Sequence, residues 1–423
     1  MNIITLEVKF LGSAREVGRA AIAVKTDKSQ IVLDYGVMLN HTPGFPMHVP
    51  PKDVDAVVAT HSHLDHSGAI PVFHIHEKKP VYGTILNMQL ANVLIKDFIK
   101  LSSYYVPFEY LELRSMMRSI VYIDFREEIT VGDIKFQLLN SGHLPGSGSV
   151  LVEAEGKRLL YTSDFNTIET KLLPGADTDY GELDAMIIES TYADEDHTER
   201  KTLEDRFVTE ITDIVEAGGT ALVPSFSVGR AQEIACLLAS HHFEYPVVMD
   251  GMAREASRIM MGHLEFLKDS RLFMDAVHLA GWIEGWHDRR KAAKRPGVII
   301  TPAGMLKGGP AAFYIQIVGK KQKNGVFLVG YQIPETPGRE LLEKGKCVID
   351  GKMRKVDAKV GFFDFSSHAG AQELKETVKG LKGNPVVYPV HGAEGNCPKF
   401  ARWIKEETGF EAKAPNPGDS YKI

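Results

Sequence analysis

Residues 60–66 read Thr60-His61-Ser62-His63-Leu64-Asp65-His66, which places three imidazoles and a carboxylate within seven residues of a 423-residue chain holding 16 histidines in all. The heptad directly follows Ala56-Val57-Val58-Ala59, an apolar run that reads as a buried strand. If the backbone stays extended just past that strand, His61 and His63 point the same way, because strand side chains alternate with period two. Together they can grip one metal ion. Asp65 and His66 come as the chain turns into Ser67-Gly68-Ala69, and they suit a second ion beside the first. Imidazole with carboxylate is a borderline donor set that fits zinc best and manganese or iron next. A single histidine is more often a surface or satisfied core residue, but four ligand-type side chains clustered at a strand end are poorly explained that way.

Ligand-type residues recur at the ends of other apolar runs. Ile31-Val32-Leu33 ends in Asp34 before Tyr35-Gly36. Such an aspartate is a turn or cap residue, or it orients a ligand histidine from behind the metal, and the local sequence favours the turn. The run from Ile134 to Leu139 leads into Asn140-Ser141-Gly142-His143. That glycine-rich turn would present His143 as a third ligand to the His61/His63 ion, or leave it an idle loop residue. Arg158 to Thr162 ends in Ser163-Asp164, and a carboxylate can bridge two ions with its two oxygens. Ala185-Met186-Ile187-Ile188 ends in Glu189. Endings of this kind on successive strands predict a sheet edge whose loops converge on one site. Between Thr84 and Ser103, Ile85, Met88, Val93, Ile95 and Ile99 predict an amphipathic helix.

The pattern changes near Ala193. A helix from Thr202 to Ala217, stopped by Gly218-Gly219, is followed by short apolar strands at 221–223, 247–249, 298–300 and 326–329 that alternate with helical stretches. That alternation predicts a parallel sheet, so residues 194–358 read as an inserted α/β domain, with 1–193 and 359–423 forming the other. Three loops after its strands carry glycine and one cation each, two of them with a hydroxyl as well, at Ser225 with Arg230, at Lys307, and at Arg339. Backbone N–H groups and a cation suit phosphate oxygens, although each loop alone is equally a tight turn beside a surface charge.

A net charge of −6 is not that of a stoichiometric nucleic-acid binder. The acidity lies outside the insert, where residues 194–358 hold 23 Lys and Arg against 23 Asp and Glu, and the remainder 26 against 32. Within the insert, basic runs from Arg289 to Arg295 and from Lys320 to Lys323 read most simply as solvated faces. The length exceeds one typical core. Cys236, Cys347 and Cys397 are odd in number and far apart, which argues against a disulfide framework and against a cysteine zinc site. No apolar run approaches the ~20 residues of a membrane helix, and no signal peptide opens the chain, so a cytoplasmic protein with no membrane association is expected.

In order, Asp34, the His61–His66 heptad, His143 and Asp164 resemble the four motifs of the metallo-β-lactamase superfamily, an αββα sandwich with a dinuclear zinc site on its edge. Glu189 with Ser190-Thr191-Tyr192 is similar to the first motif of the nucleic-acid-processing β-CASP group. Asp364-Phe365-Ser366-Ser367-His368 and His391-Gly392 resemble its second and third. The three insert loops resemble stretches of its RNA-processing members, with Ala303 standing where Ser is expected. Histidine at the third motif is the form associated with RNA, where DNA-processing members tend to carry valine. The fold implied is α/β, a metallo-β-lactamase sandwich with an inserted β-CASP domain. It resembles the minimal archaeal type related to the cleavage and polyadenylation endonuclease subunit and ribonuclease J, with no KH-type segment before the fold and no domain after it.

That resemblance implies a zinc-dependent ribonuclease, acting within RNA or from its 5′ end. His61, His63 and His143 would hold one Zn²⁺, Asp65, His66 and His391 the other, with Asp164 between them and Mn²⁺ as the alternative metal. His368 would act as general acid with Glu189 orienting it, and Asp34 would fix a ligand, so that Asp34 and Asp65 belong to the catalytic set. Ser225, Arg230, Lys307, Arg339 and Ser366 would meet RNA phosphates. A DNA-processing nuclease, a small-molecule thioester or lactam hydrolase, and an RNA-binding scaffold without catalysis are the rival readings. Whether the chain works alone or as a homodimer stays open.

Overall fold

The computed structural model describes residues 6–39, 42–102 and 105–423. Contacts group the chain into two units, the first comprising residues up to 169, 175–196 and 367–423, the second 170–174 and 197–366.

In the first unit one sheet runs in the order Ser420–Lys422, Glu7–Phe10, Ile22–Lys25, Gln30–Leu33, Ala56–Val58, Val81–Gly83, Ile120–Tyr122. A second runs Lys382–Val390, Glu182–Glu189, Lys157–Tyr161, Gly148–Ala154, Ile134–Asn140, Ile129–Val131. Alternate residues of each strand go to opposite faces. Ile31, Leu33, Ala56 and Val58 meet Phe136, Val150, Leu159 and Ile187 of the other sheet in a shared core. Val32 and Val57, one residue out of step, pack on Met88, Ala91, Ile95 and Phe98 of the Ile85–Ser102 helix. On the far side, Leu160, Met186 and Ile188 pack against Leu374 of the Ala371–Lys379 helix and Phe400 and Ile404 of the Asn396–Thr408 helix. The layers are therefore helix, sheet, sheet, helix, the αββα sandwich expected. Because both faces of each sheet are covered, the central strands read as continuous apolar runs instead of alternating ones. The helix expected over 84–103 spans Ile85–Ser102, and Ser103 lies outside the described residues.

The second unit carries a six-stranded sheet in the order Ala280–Trp282, Val247–Met249, Gly297–Thr301, Thr220–Pro224, Gly325–Leu328, Lys359–Phe362, with every neighbouring pair parallel. Leu222, Ile299, Val326 and Leu328 pack there on Tyr314 and Ile315 of the Gly309–Val318 helix. Its extent differs from the 194–358 read from the sequence. Lys359–Phe362 is an edge strand of this sheet, paired with Gly325–Leu328, and the return to the first unit falls at Ser367. Residues 170–174 also belong here, held by the Glu233 carboxylate, which accepts the N–H groups of Lys171 and Leu172 at 3.1 and 2.8 Å.

Candidate metal centre

The first unit brings its ligand-type side chains together at the strand ends. After Ala56–Val58 the chain runs through His61 to His63 and then makes the four-residue helix Leu64–Ser67, so His66 turns back beneath the strand end. Gly36 allows that turn to sit close, because a Cβ there would fall 1.7 Å from the Asp65 carbonyl oxygen. His391 follows the Lys382–Val390 strand in left-handed backbone (φ 49°), and its N–H donates to the Ser13 carbonyl at 2.7 Å. Asp164 follows Lys157–Tyr161, and Glu189 closes Glu182–Glu189.

Asp164 is 1% exposed and its two oxygens face two different sets of imidazoles. Oδ2 lies 3.6 Å from His61 Nε2 and 3.7 Å from His143 Nε2. Oδ1 lies 3.4 Å from His66 Nε2 and 3.2 Å from His391 Nδ1. His391 Nε2 is in turn 3.5 Å from Asp65 Oδ2, and His63 Nδ1 is 3.2 Å from His143 Nε2. Ligand atoms of His61, His63, His143 and Asp164 all lie within 4.8 Å of one another, as do those of Asp65, His66, Asp164 and His391.

The residues fit metal ions on a further observation. His61 Nε2, His66 Nε2, His391 Nε2 and Asp164 Oδ1 are buried and make no hydrogen bond, an arrangement that costs free energy unless a cation sits among them. Burial, and then the charge of neighbouring imidazoles, holds the pKa of His61 and His143 well below the usual value, and burial brings His63 to about 4. Neutral imidazole is the form that ligates. Burial alone would raise the pKa of Asp164, but His391 and His66 outweigh it and keep the carboxyl ionised.

Supporting contacts fix which nitrogen faces inward. His66 donates Nδ1–H to Asp34 Oδ2 at 2.8 Å, and His143 donates Nδ1–H to the Ser367 carbonyl at 2.9 Å, which leaves each Nε2 for a metal. Asp34, fully buried with φ 57°, also accepts from Thr60 N at 2.8 Å, Thr60 Oγ1 at 2.7 Å and Tyr161 Oη at 3.1 Å. Its carboxylate is thus tied to the element that carries His66 and to a strand of the second sheet, beyond what a local turn would need. Beside Asp164, both oxygens of Glu189 lie 2.9 Å from His368 Nδ1, and His368 Nε2 lies 3.9 Å from Asp164 Oδ2. Burial opposes an imidazolium at His368, yet Glu189 and Asp164 outweigh it and lift its pKa to about 9. Thr60, Tyr161, Ser163 and the Ser367 carbonyl escaped the sequence reading. Thr60 and Ser163 each precede a ligand, and their hydroxyls meet at 2.7 Å. Tyr161 has no local signal.

The three glycine-bearing loops come together in the second unit. Gly304 packs on the backbone of Ser225 and Phe226, and Gln332 Nε2 donates to the carbonyls of Gly304 and Gly330. Ser225 is buried with its hydroxyl on the Val223 carbonyl, and Arg230 is 8% exposed at the start of the Arg230–Ser240 helix. Arg339 pairs with Glu343 of its own helix at 2.6 Å, while Lys307 is exposed. Ser366 is the last residue of the second unit.

The comparisons agree with this architecture. The metallo-beta-lactamase superfamily model matches residues 15–202, the Beta-Casp domain 231–341, and the Zn-dependent metallo-hydrolase RNA specificity domain 353–415. The chain is 41% identical to a Saccharolobus solfataricus protein named RNase aCSPSF2, over 98% of this chain and 85% of that one. It is 37% identical to a Methanocaldococcus jannaschii protein named Probable RNase MJ4, over 99% and 100%. It is 31% identical to the same organism's Transcription termination factor FttA, over 99% and 72%. A crystal structure of an Enterococcus faecalis protein of unknown function shares the fold, with TM-score 0.65 at 13% identity over 99% of this chain and 100% of that one. The chain belongs to the metallo-β-lactamase superfamily, in its β-CASP branch.

Proposed function

We propose that this chain is a metal-dependent ribonuclease that hydrolyses phosphodiester bonds of RNA. The observation that carries the reading is Asp164, whose two oxygens face separate imidazole sets while His368 stands beside it on Glu189. Two relatives that span nearly the whole chain are named RNases, and the matched RNA specificity domain includes both His368 and His391. The donor set favours two zinc ions, with His61, His63 and His143 around one, Asp65, His66 and His391 around the other, and Asp164 shared. When bound, such ions supply positive charge for the phosphate oxygens and lower the pKa of a water to near neutrality. His368 holds a proton at Nε2 and delivers it to the departing 3′ oxygen, and Glu189 keeps the ring turned for that transfer. Asp34 keeps His66 in the ligating tautomer.

The exposed Lys307 and the N–H groups of the neighbouring glycine turns are the phosphate contacts best supported among the loops. Arg230, Arg339, Ser225 and Ser366 follow. No helix among the described residues is long and apolar enough to cross a membrane, and the reading places the enzyme in the cytoplasm. The test is digestion of one RNA labelled at either end, beside a matched DNA. Labelled mononucleotide appearing first indicates attack from the end, and internal fragments indicate endonucleolytic cutting. Cleavage of DNA alone, or of neither polymer, rejects the reading.

A further inference from the structure

Two tryptophans and a group of arginines stand together at one edge of the second unit's sheet, apart in sequence from the metal-ligand candidates. Trp282 ends the edge strand Ala280–Trp282, and Trp286 opens the helix Trp286–Ala292. The guanidinium of Arg258 lies 4.8 Å from the Trp282 ring centre and that of Arg254 5.7 Å. Arg289 sits 4.9 Å from the ring centre of Trp286, which packs nearly perpendicular to Phe313 with ring centres 5.3 Å apart. Arg289 is itself fixed, by two hydrogen bonds to the buried Asp250 at 2.8 and 3.0 Å. With one flank held in this way, Trp286 is still 58% exposed, an unusual placement for so large an apolar ring.

The charge around the rings differs from that of the whole chain. Residues 250–260 and 280–295 together carry seven Lys and Arg against four Asp and Glu, in a protein whose net charge is −6. The place in the fold matters as well. All strands of this sheet are parallel, so Trp282 lies at the same carboxyl end as the three glycine-bearing loops. Those loops present two further exposed rings, Phe226 at 37% and Tyr331 at 51%. From the Gly325–Leu328 strand to the Ala280–Trp282 strand is four strand spacings, about 19 Å. Aromatic faces interleaved with arginines are what unpaired bases and their phosphates recognise, whereas a duplex hides its base faces.

We propose that Trp286, held on one flank by Arg289 and followed along the same edge by Trp282 with its Arg258, is a stacking platform for an unpaired base of single-stranded RNA, remote in sequence from every metal ligand. The proposal rests on RNA being the substrate and adds that the protein selects single strands at this edge. The experiment is binding of a cleavage-resistant phosphorothioate RNA to the metal-loaded full chain, as a single strand and as a duplex, with a separate cleavage assay on plain RNA. Trp286→Ala is expected to weaken the single strand about tenfold and the duplex little, and Trp286→Tyr to keep most of the affinity. Arg258→Ala should lower the salt dependence of binding by about one unit of slope. Unchanged single-strand affinity in Trp286→Ala overturns the proposal. So does an equal loss on the duplex, or a Tyr variant as weak as the Ala one, which would mean lost packing. Unchanged RNA binding with an altered oligomeric state gives the patch to a second copy and overturns it too. Wild-type protein that binds single strands but cuts no RNA sinks the ribonuclease reading and leaves the platform standing.

Discussion

Both carboxylate oxygens of Glu189 lie 2.9 Å from Nδ1 of His368, a residue 179 positions further along the chain. Glu189 also accepts the Phe165 N–H at 2.9 Å, which fixes the carboxylate before the imidazole meets it. Replacement by Gln keeps the shape and removes the charge. Glu189→Gln should lower kcat about a hundredfold with KM nearly unchanged, because general acid catalysis is worth about 10²–10⁴ and acts only in the transition state. The carboxylate raises the pKa of His368, and a general acid fails as pH rises through its pKa. The alkaline limb of the kcat profile should therefore move to lower pH in the variant. A KM effect alone, or an unmoved limb, contradicts the assigned roles.

Asp34 accepts four hydrogen bonds with no exposure, and one of them sets the tautomer of His66. Asp34→Asn would aim an N–H₂ at donors that need an acceptor. Metal affinity at the His66 side should fall about 10–100-fold, with about 1–3 kcal/mol of stability lost. Competition with a chelator of known affinity and a thermal melt read the two effects separately. Native metal affinity in a variant that melts earlier would reduce Asp34 to a purely structural residue.

Gly36 lies against the backbone of the Leu64–Ser67 helix, where an added Cβ would meet Asp65 O at 1.7 Å and His66 N at 2.6 Å. Neither atom can move without shifting Asp65 and His66. Gly36→Ala should destabilise the chain by about 3 kcal/mol and lower metal content with it. Gly156→Ala, where nothing lies within 4 Å but φ is 71°, is the comparison, expected to cost about 1 kcal/mol at full metal content.

The local half of the candidate site was legible in the sequence. The His61–His66 heptad names its own chemistry, and Asp34, His143, Asp164 and Glu189 each close an apolar strand that both faces of a covered sheet make conspicuous. Distant partners were not legible. Asp34 meets Thr60, His66 and Tyr161 across 26, 32 and 127 residues, and those contacts exist only once the elements are adjacent. The layered α/β fold was legible too, because helical and strand periodicities alternate clearly, but the end of the insert was not. Val360-Gly361-Phe362 reads as a strand in either unit, and only its pairing with Val326-Phe327-Leu328 assigns it. Ser225 has the right chemistry for a phosphate, yet the sequence gives no sign that its hydroxyl points to the Val223 carbonyl.

The central claim is that one carboxylate joins two metal positions, and metal content per chain tests it most directly. Elemental analysis of the purified wild-type protein should give about two divalent ions per chain, and Asp164→Asn, isosteric but uncharged, should retain at most one together with a loss of RNA cleavage of at least about 10³-fold. A variant that keeps both ions, or that cuts RNA at the wild-type rate, would contradict the account.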